Sequence, residues 1–450
     1  MSRAALIQDV AKALGNRQVV WAGIRGDDVE SLTDLPCLSA SYSIIGAYNR
    51  RSSIESVALE NLTGRRVDLE RWDIDDHRQT AEVVEFRRAM LRTLSRPSAL
   101  LPYRPSRFLS AIWFARRDRC LNLGLFGAHQ SAFEHKPWVE TAVGSLGIPT
   151  IPWVYVADEE QLRTREMLDR GPVLLRLSRT SGGQGFSRVE NPDDLVRLWP
   201  QADEAFVSVA PYLRDVLPLN VGATVWKDGV SVHHPSVQLI GLANCVTREF
   251  GYCGSDFGLA RDLPHRTFQQ LEGFTVKIGE WLRAMGYLGT FGVDYLLDAE
   301  GVLRFSEVNP RFQGSTVASS RLSVEAGRAC LPLEHVAAML GLARPPALRV
   351  RELARESKPL AVLVIHWTGQ RAARIDPLPL HQQLLPQGSQ FDVATRAGLL
   401  TDRGGVVTRM TVRTGVTDTG FDLREPFSSV VREWTGRVVG VRFPEETADA

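Results

Sequence analysis

Residues 286–316, GYLGTFGVDYLLDAEGVLRFSEVNPRFQGST, constrain this chain more than any other stretch. VDYLL and LRFSEVN alternate large apolar residues with small or polar ones, and DAEG between them is turn chemistry. That pattern predicts a β-hairpin with one buried face. Asp294 lies on the first strand, and Glu307 and Asn309 lie near the end of the second. Glu307 and Asn309 alternate with Val308 and so share a face, and tight pairing through the turn brings Asp294 opposite them. Carboxylates plus a carboxamide, without sulfur or imidazole, suit hard oxygen-seeking cations that also hold phosphates.

The pattern D-x12-E-x-N-P-R at the end of a hairpin resembles the metal-binding strands of the ATP-grasp superfamily, whose members are mostly carboxylate–amine ligases. The resemblance implies an α/β and α+β multidomain fold, in which a pair of α+β lobes sandwiches ATP after an α/β domain and before a small α+β domain. It implies that Asp294, Glu307 and Asn309 hold Mg²⁺ on the ATP phosphates, as a pair of ions, with Mn²⁺ as an acceptable substitute. Arg311 would steady the acyl phosphate and the tetrahedral species that follows it.

A second signal is PVLLRLSRTSGGQGFSRV, residues 172–189. An apolar strand reaches Arg176, a small flexible loop follows, and another strand begins. Glycines let backbone N–H groups approach phosphate oxygens closely, forming an anion-binding nest, although the G-K-[ST] of a Walker loop is absent. The stretch resembles the ATP-grasp phosphate-covering loop, which places Ser181, Gly182, Gly183 and Gly185 on the nucleotide. That family carries Lys on the preceding strand; here the position is Arg176, which keeps the charge but exchanges a compact ammonium for a planar fork. In EHKPWVETAVGSLGIPTIP (134–152), Pro137 suits a first helical turn and Gly147 a stop. By resemblance to the basic residue, helix and GIP-x-P of these ligases, Lys136 would reach the phosphates. AFVSVAPYLRD (205–215) falls where the inter-lobe hinge should read adenine through its backbone. No Glu stands in it to take the ribose.

Bulk composition narrows the classes of function. The chain has 450 residues and a formal net charge of +1, so no global field recruits nucleic acid or an acidic membrane. Positive charge is almost all Arg, the lysines being Lys12, Lys136, Lys227, Lys277 and Lys358. The 5 cysteines are scattered and form no C-x-x-C pair, which indicates neither a disulfide framework nor a zinc site. MSRAALIQDVAKALG lacks the apolar core of a signal peptide, and no run is long enough to span a bilayer. A cytoplasmic protein is the expectation.

In chain order, an N-terminal α/β unit covers 1–130, with a helix near 3–14, a buried strand at 18–24 and an amphipathic helix ending near 94. AGIRGDD after that strand is not the dinucleotide fingerprint and reads as a structural turn. The N-lobe covers 131–205 and the C-lobe 206–346. Polar Asn220, His233, His234 and Gln238 lie on C-lobe strands, where adjacent histidines point to opposite faces. REFGYCGSDFG (248–258) reads as a loop, with Arg248 and Glu249 as candidate substrate contacts, and residues 264–286 read as an amphipathic helix. Residues 347–450 read as a separate small α+β domain.

The resemblance implies a ligase joining a small-molecule carboxylate, an amino acid or peptide, to an amine through an acyl phosphate. Its layout is similar to peptide ligases of bacterial specialised metabolism, and a homodimer is compatible with it. A carboxylase-type component, a ligase with another acceptor and a nucleotide-binding regulator without catalysis remain alternatives. The chain carries no M-K biotin motif of its own.

Overall fold

The computed structural model describes residues 2–46, 54–69, 72, 74–75, 80–124, 130–180, 182–201, 204–374, 387–393 and 399–436. Its first layer is a parallel sheet in the order Glu55–Ala58, Leu38–Ile45, Gln18–Arg25, Ser98–Pro102, Cys120–Asn122. The central strands Gln18–Arg25 and Ser98–Pro102 are largely apolar and buried because helices cover both sides of the sheet. Phe86, Met90, Phe108 and Ile112 pack on one side, and Leu6, Val10, Leu14 and Val336 on the other. Sequence order reverses between Gln18–Arg25 and Ser98–Pro102, which opens a crevice beyond their carboxyl ends.

An antiparallel sheet of Val154–Ala157, Phe206–Pro211, Val173–Arg176 and Phe186–Val189 follows. It has its own small core of Val156, Leu175, Val189, Leu195, Val207 and Val209. The hairpin strands Gly289–Leu297 and Leu303–Asn309 stand at one edge of an 8-stranded antiparallel sheet, next to Leu217–Trp226 and Gly229–Ile240. Helix His265–Ala284 crosses this sheet through Phe268, Leu271, Ile278 and Leu282. A Cβ on Gly279 would lie 2.7 Å from Val230, so glycine lets helix and sheet approach.

The tail differs from the sequence expectation of a separate unit. Its strands Ala361–His366, Val406–Val412 and Gln390–Val393 continue the 8-stranded sheet beyond Tyr252–Asp256. Leu400–Thr401 pairs with Arg65–Arg66 of the N-terminal region. The expected loop over 248–258 is corrected as well, since Tyr252–Asp256 is a strand hydrogen-bonded on both flanks. Gly254 lies where a Cβ would meet the Val362 carbonyl oxygen at 2.1 Å and Leu239 Cδ1 at 3.1 Å, so its backbone fits between a close neighbour from the tail and one from Gly229–Ile240. No helix among the described residues is long and apolar enough to cross a membrane.

Candidate functional site

The hairpin register sets Asp294 directly opposite Glu307 and Gly292 opposite Asn309, with a bulge after Asp294. Asp294 sits in a cradle of carboxamides. Its Oδ1 accepts from Asn220 Nδ2 at 2.6 Å, Gln238 Nε2 at 3.1 Å and Gln313 Nε2 at 3.2 Å. Its Oδ2 accepts from Asn309 Nδ2 at 3.1 Å. Ser315 Oγ in turn donates to Asn220 Oδ1 at 2.6 Å and orients that amide. A Cβ on Gly292 would fall 1.6 Å from Gln313 Oε1, so the missing side chain leaves room for the cradle. Burial, reinforced by the Glu307 charge, raises the Asp294 carboxyl to about 7, against the lowering effect of Asn220 and Gln313.

Glu307 meets the other lobe. Lys136 Nζ lies 3.1 Å from Glu307 Oε1 and donates to the Thr180 carbonyl at 2.6 Å. Lys136 opens helix Lys136–Ser145 with Pro137 beside it. One helix start thus ties the acid hairpin to the residue just before the glycine loop. Ser181 lies outside the described residues. Gly182, Gly183 and Gly185 all have positive φ, +59°, +77° and +67°, a backbone open to glycine at little cost. A Cβ on Gly183 would lie 1.9 Å from the Phe250 carbonyl oxygen, so the loop rests on the segment before Tyr252.

A cavity of about 450 Å³ joins these parts. Its lining includes Asp294, Glu307, Asn309 and Arg311, the loop glycines Gly182 and Gly183, and Ala210–Leu213, which runs from the end of the strand Phe206–Pro211. Gly23, Ile24 and Arg25 also reach it, so the turn read as structural touches the cavity. Of the candidate substrate contacts, Glu249 lines it, whereas Arg248 Nη1 pairs with Asp68 Oδ2 at 2.7 Å. His233 and His234 do not line it; His233 Nε2 lies 3.1 Å from buried Glu334, and both rings are buried.

Arg176 is not part of the lining. It shares a strand face with Leu174, which is, but its guanidinium stacks 4.0 Å from the Trp153 ring centroid. Its Nη1 lies 2.6 Å from Glu140 Oε1 on the Lys136 helix. Nε and Nη2 of Arg176 are buried without a hydrogen-bond partner among the described residues. Gln313, Glu140 and Trp153 escaped the sequence reading. Asn220 and Gln238 were visible as lone amides in apolar strands, the signal of a buried polar cradle.

No protein-family profile matches the chain. It is 25% identical over 213 residues to formate-dependent phosphoribosylglycinamide formyltransferase from Synechococcus sp. (strain RCC307), a match to 46% of this chain and 50% of that one. It is 29% identical over 155 residues to mitochondrial acetyl-CoA carboxylase from Saccharomyces cerevisiae, covering 32% of this chain and 6% of that protein. The chain therefore spans half or less of these curated relatives.

Solved structures cover far more. The biotin carboxylase domain of 2-oxoglutarate carboxylase from Hydrogenobacter thermophilus, in complex with MgADP, ADP and bicarbonate, superposes with a TM-score of 0.62 at 14% identity, over 88% of this chain and 86% of that one. Carboxyaminoimidazole ribonucleotide synthase from Aspergillus clavatus, complexed with ATP, gives 0.59 at 15% identity, over 93% and 99%. The fold is ATP-grasp. In the ATP-grasp cleft so defined, Gly182–Gly183 and the Asp294–Glu307 hairpin face a common cavity from different sheets.

The donor set fits a divalent cation on chemical grounds. Opposed carboxylates repel when both ionise in a buried place, and a cation relieves that repulsion. Asp294, Glu307 and Asn309 would hold it. The raised Asp294 carboxyl gives a pH test. Its folded value of about 7 exceeds the ordinary 3.8, so between these values the folded state binds a proton that the unfolded chain has lost. Its contribution to stability therefore falls as pH rises through that window. Mg²⁺ must displace the proton, so affinity for Mg²⁺ should rise about tenfold from pH 6 to pH 8 and then level off. Titrating Mg²⁺ at both pH values, with Asp294→Asn as the flat control, checks this; equal wild-type affinities would refute it.

Proposed function

We propose that this chain is an ATP-dependent carboxylate–amine ligase that works through an acyl phosphate and releases ADP and phosphate. The observation that carries the reading is the opposition of Asp294 and Glu307 in a cavity also lined by Gly182, Gly183, Ala210–Leu213 and Arg311. Ala210–Leu213, with Leu174 and Leu296, bound an apolar slot for the adenine. The glycine loop covers the phosphates and Lys136 lies beside them. Bound Mg²⁺ supplies charge neutralisation on the phosphates.

A substrate carboxylate oxygen attacks the γ-phosphorus, the bond to the β-bridging oxygen breaks, and ADP leaves. The amine then attacks the acyl carbon, phosphate leaves and the amine proton is lost. Arg311 steadies the transferred phosphoryl and the tetrahedral species. Such a path requires positioned charge rather than a protein nucleophile. Residues 1–130 serve the substrate side, 131–205 and 206–346 clasp the nucleotide, and the strands Ala361–His366, Gln390–Val393 and Val406–Val412 extend the second clasp. Small-molecule substrates, a cytoplasmic setting and a homodimer belong to the same reading. An amino acid or peptide would be the acid.

The comparisons favour a second acid, because the Hydrogenobacter thermophilus structure holds bicarbonate beside MgADP. Product analysis separates the paths. Incubating the protein with ATP, Mg²⁺ and panels of carboxylates and amines should release ADP and phosphate in step with an amide. Release dependent on bicarbonate alone would favour carboxylation. Substrate-dependent AMP without ADP would remove the acyl-phosphate reading.

A further inference from the structure

Between strands Gly229–Ile240 and Tyr252–Asp256, consecutive side chains reach different parts of the molecule. Arg248 Nη1 lies 2.7 Å from Asp68 Oδ2 in the N-terminal region. Glu249 Oε1 lies 2.8 Å from Arg188 Nη1. The Phe250 ring packs on Phe186, with centroids 5.7 Å apart and planes inclined at 40°. Its carbonyl oxygen lies where a Cβ on Gly183 would come within 1.9 Å. Phe186 and Arg188 share one face of strand Phe186–Val189, while Val189, on the other face, belongs to the core of its own sheet. The strand leaving the glycine loop therefore turns one face to its own lobe and the other to residues 249–250 of the opposite lobe.

That segment is braced from within and from behind. Gly241 N donates to the Gly251 carbonyl at 2.8 Å, and Gly251 N donates to the Arg248 carbonyl at 3.0 Å. A Cβ on Gly241 would fall 2.1 Å from the Glu249 carbonyl oxygen, so the chain folds tightly back on itself. The tail supports it through His366 N, which donates to the carbonyl of buried Cys245 at 2.8 Å. Gly182, Gly183 and Gly185 bring no side chains with which to fix their own loop.

We propose that Phe250, with Glu249 beside it, is a positioning residue that acts through Phe186 and Gly183 to hold the glycine loop over the cavity. The inference rests on the nucleotide reading of that loop and assigns its restraint to the opposite lobe. Restricting a glycine-rich loop before the ligand arrives lowers the ordering cost of binding. The half-exposed Glu249–Arg188 pair contributes little by itself, so the ring contact and the close backbone fit carry most of the hold. Phe186 and Phe250 also border the cavity, which makes independent contact of each ring with the nucleotide the competing account.

A double-mutant cycle separates the two. The full chain is loaded with Mg²⁺ and a fluorescent ATP analogue, and release is followed by stopped flow. Phe250→Ala and Phe186→Ala should each speed release about three- to tenfold. The double variant should release no faster than the faster single variant, because both changes remove one contact. Phe250→Tyr, which keeps the ring, should release as wild type does. Rates that multiply in the double variant, or wild-type release from a folded Phe250→Ala protein, would overturn the inference and leave the ligase reading standing. A second measurement needs no nucleotide. Chymotrypsin should cut after Phe186 about threefold faster or more in Phe250→Ala than in wild type, with melting temperature unchanged. In a protein that takes no nucleotide the ligase reading falls, and this cleavage alone decides the hold: faster cutting supports it and an unchanged rate overturns it.

Discussion

Glu307→Ala should lower ADP-forming turnover by about 10³-fold or more while leaving the protein folded. Glu307 lies opposite Asp294 in the register and 3.1 Å from Lys136 Nζ, at the meeting of the acid hairpin and the glycine-loop side of the cleft. Its removal takes away charge neutralisation worth several kcal/mol at the moment the phosphoryl group moves. Folding should survive because Glu307 is part-exposed, with a side-chain relative accessibility of 24%, and the hairpin core is Val293, Tyr295, Phe305 and Val308. Loss of its partner also frees Lys136, so nucleotide binding should fall much less than turnover. Steady-state ADP release with a thermal melt of the same sample checks both halves. A folded Glu307→Ala protein with near-normal turnover would remove the basis of the functional reading.

Arg176→Ala should destabilise the protein by about 3–5 kcal/mol, the usual cost of stripping one partner from a buried ion pair. Arg176 and Glu140 are 1% and 5% exposed and 2.6 Å apart. Without the guanidinium, Glu140 keeps, among the described residues, the Tyr155 hydroxyl at 3.1 Å as its hydrogen-bond donor, and burial already raises its carboxyl above the ordinary range. The stack on Trp153 is lost as well. Arg176→Lys should recover part of the loss, because it restores charge without the planar fork.

The Arg176→Ala/Glu140→Gln double variant separates structure from chemistry. Neutralising Glu140 should restore most of the stability. If Arg176 also serves the phosphates, ATP affinity in the double variant should stay roughly ten- to a hundredfold low, as expected for a lost charged hydrogen bond. Chemical denaturation and calorimetry on the same set measure the two effects. A double variant with wild-type affinity would reduce Arg176 to a structural role.

Local sequence carried the hairpin acids. Residues separated by one position on a strand share a face, and DAEG closes the turn, so Asp294, Glu307 and Asn309 could be placed together without knowing what surrounds them. The glycine loop was legible for a similar reason, because consecutive positive-φ positions require glycine. Helix His265–Ala284 followed from its apolar period.

Tertiary structure alone decided the rest. The cradle on Asp294 draws Asn220, Gln238 and Gln313 from separate elements; strand pairing aligns the first two amides, and the turn after the hairpin, held by Gln313 N on Thr316 Oγ1, brings in the third. Lys136 reaches Glu307 because a helix start and a sheet edge meet across the cleft. The strand Tyr252–Asp256 formed against loop-like composition because tail strands offered it a second row of backbone partners.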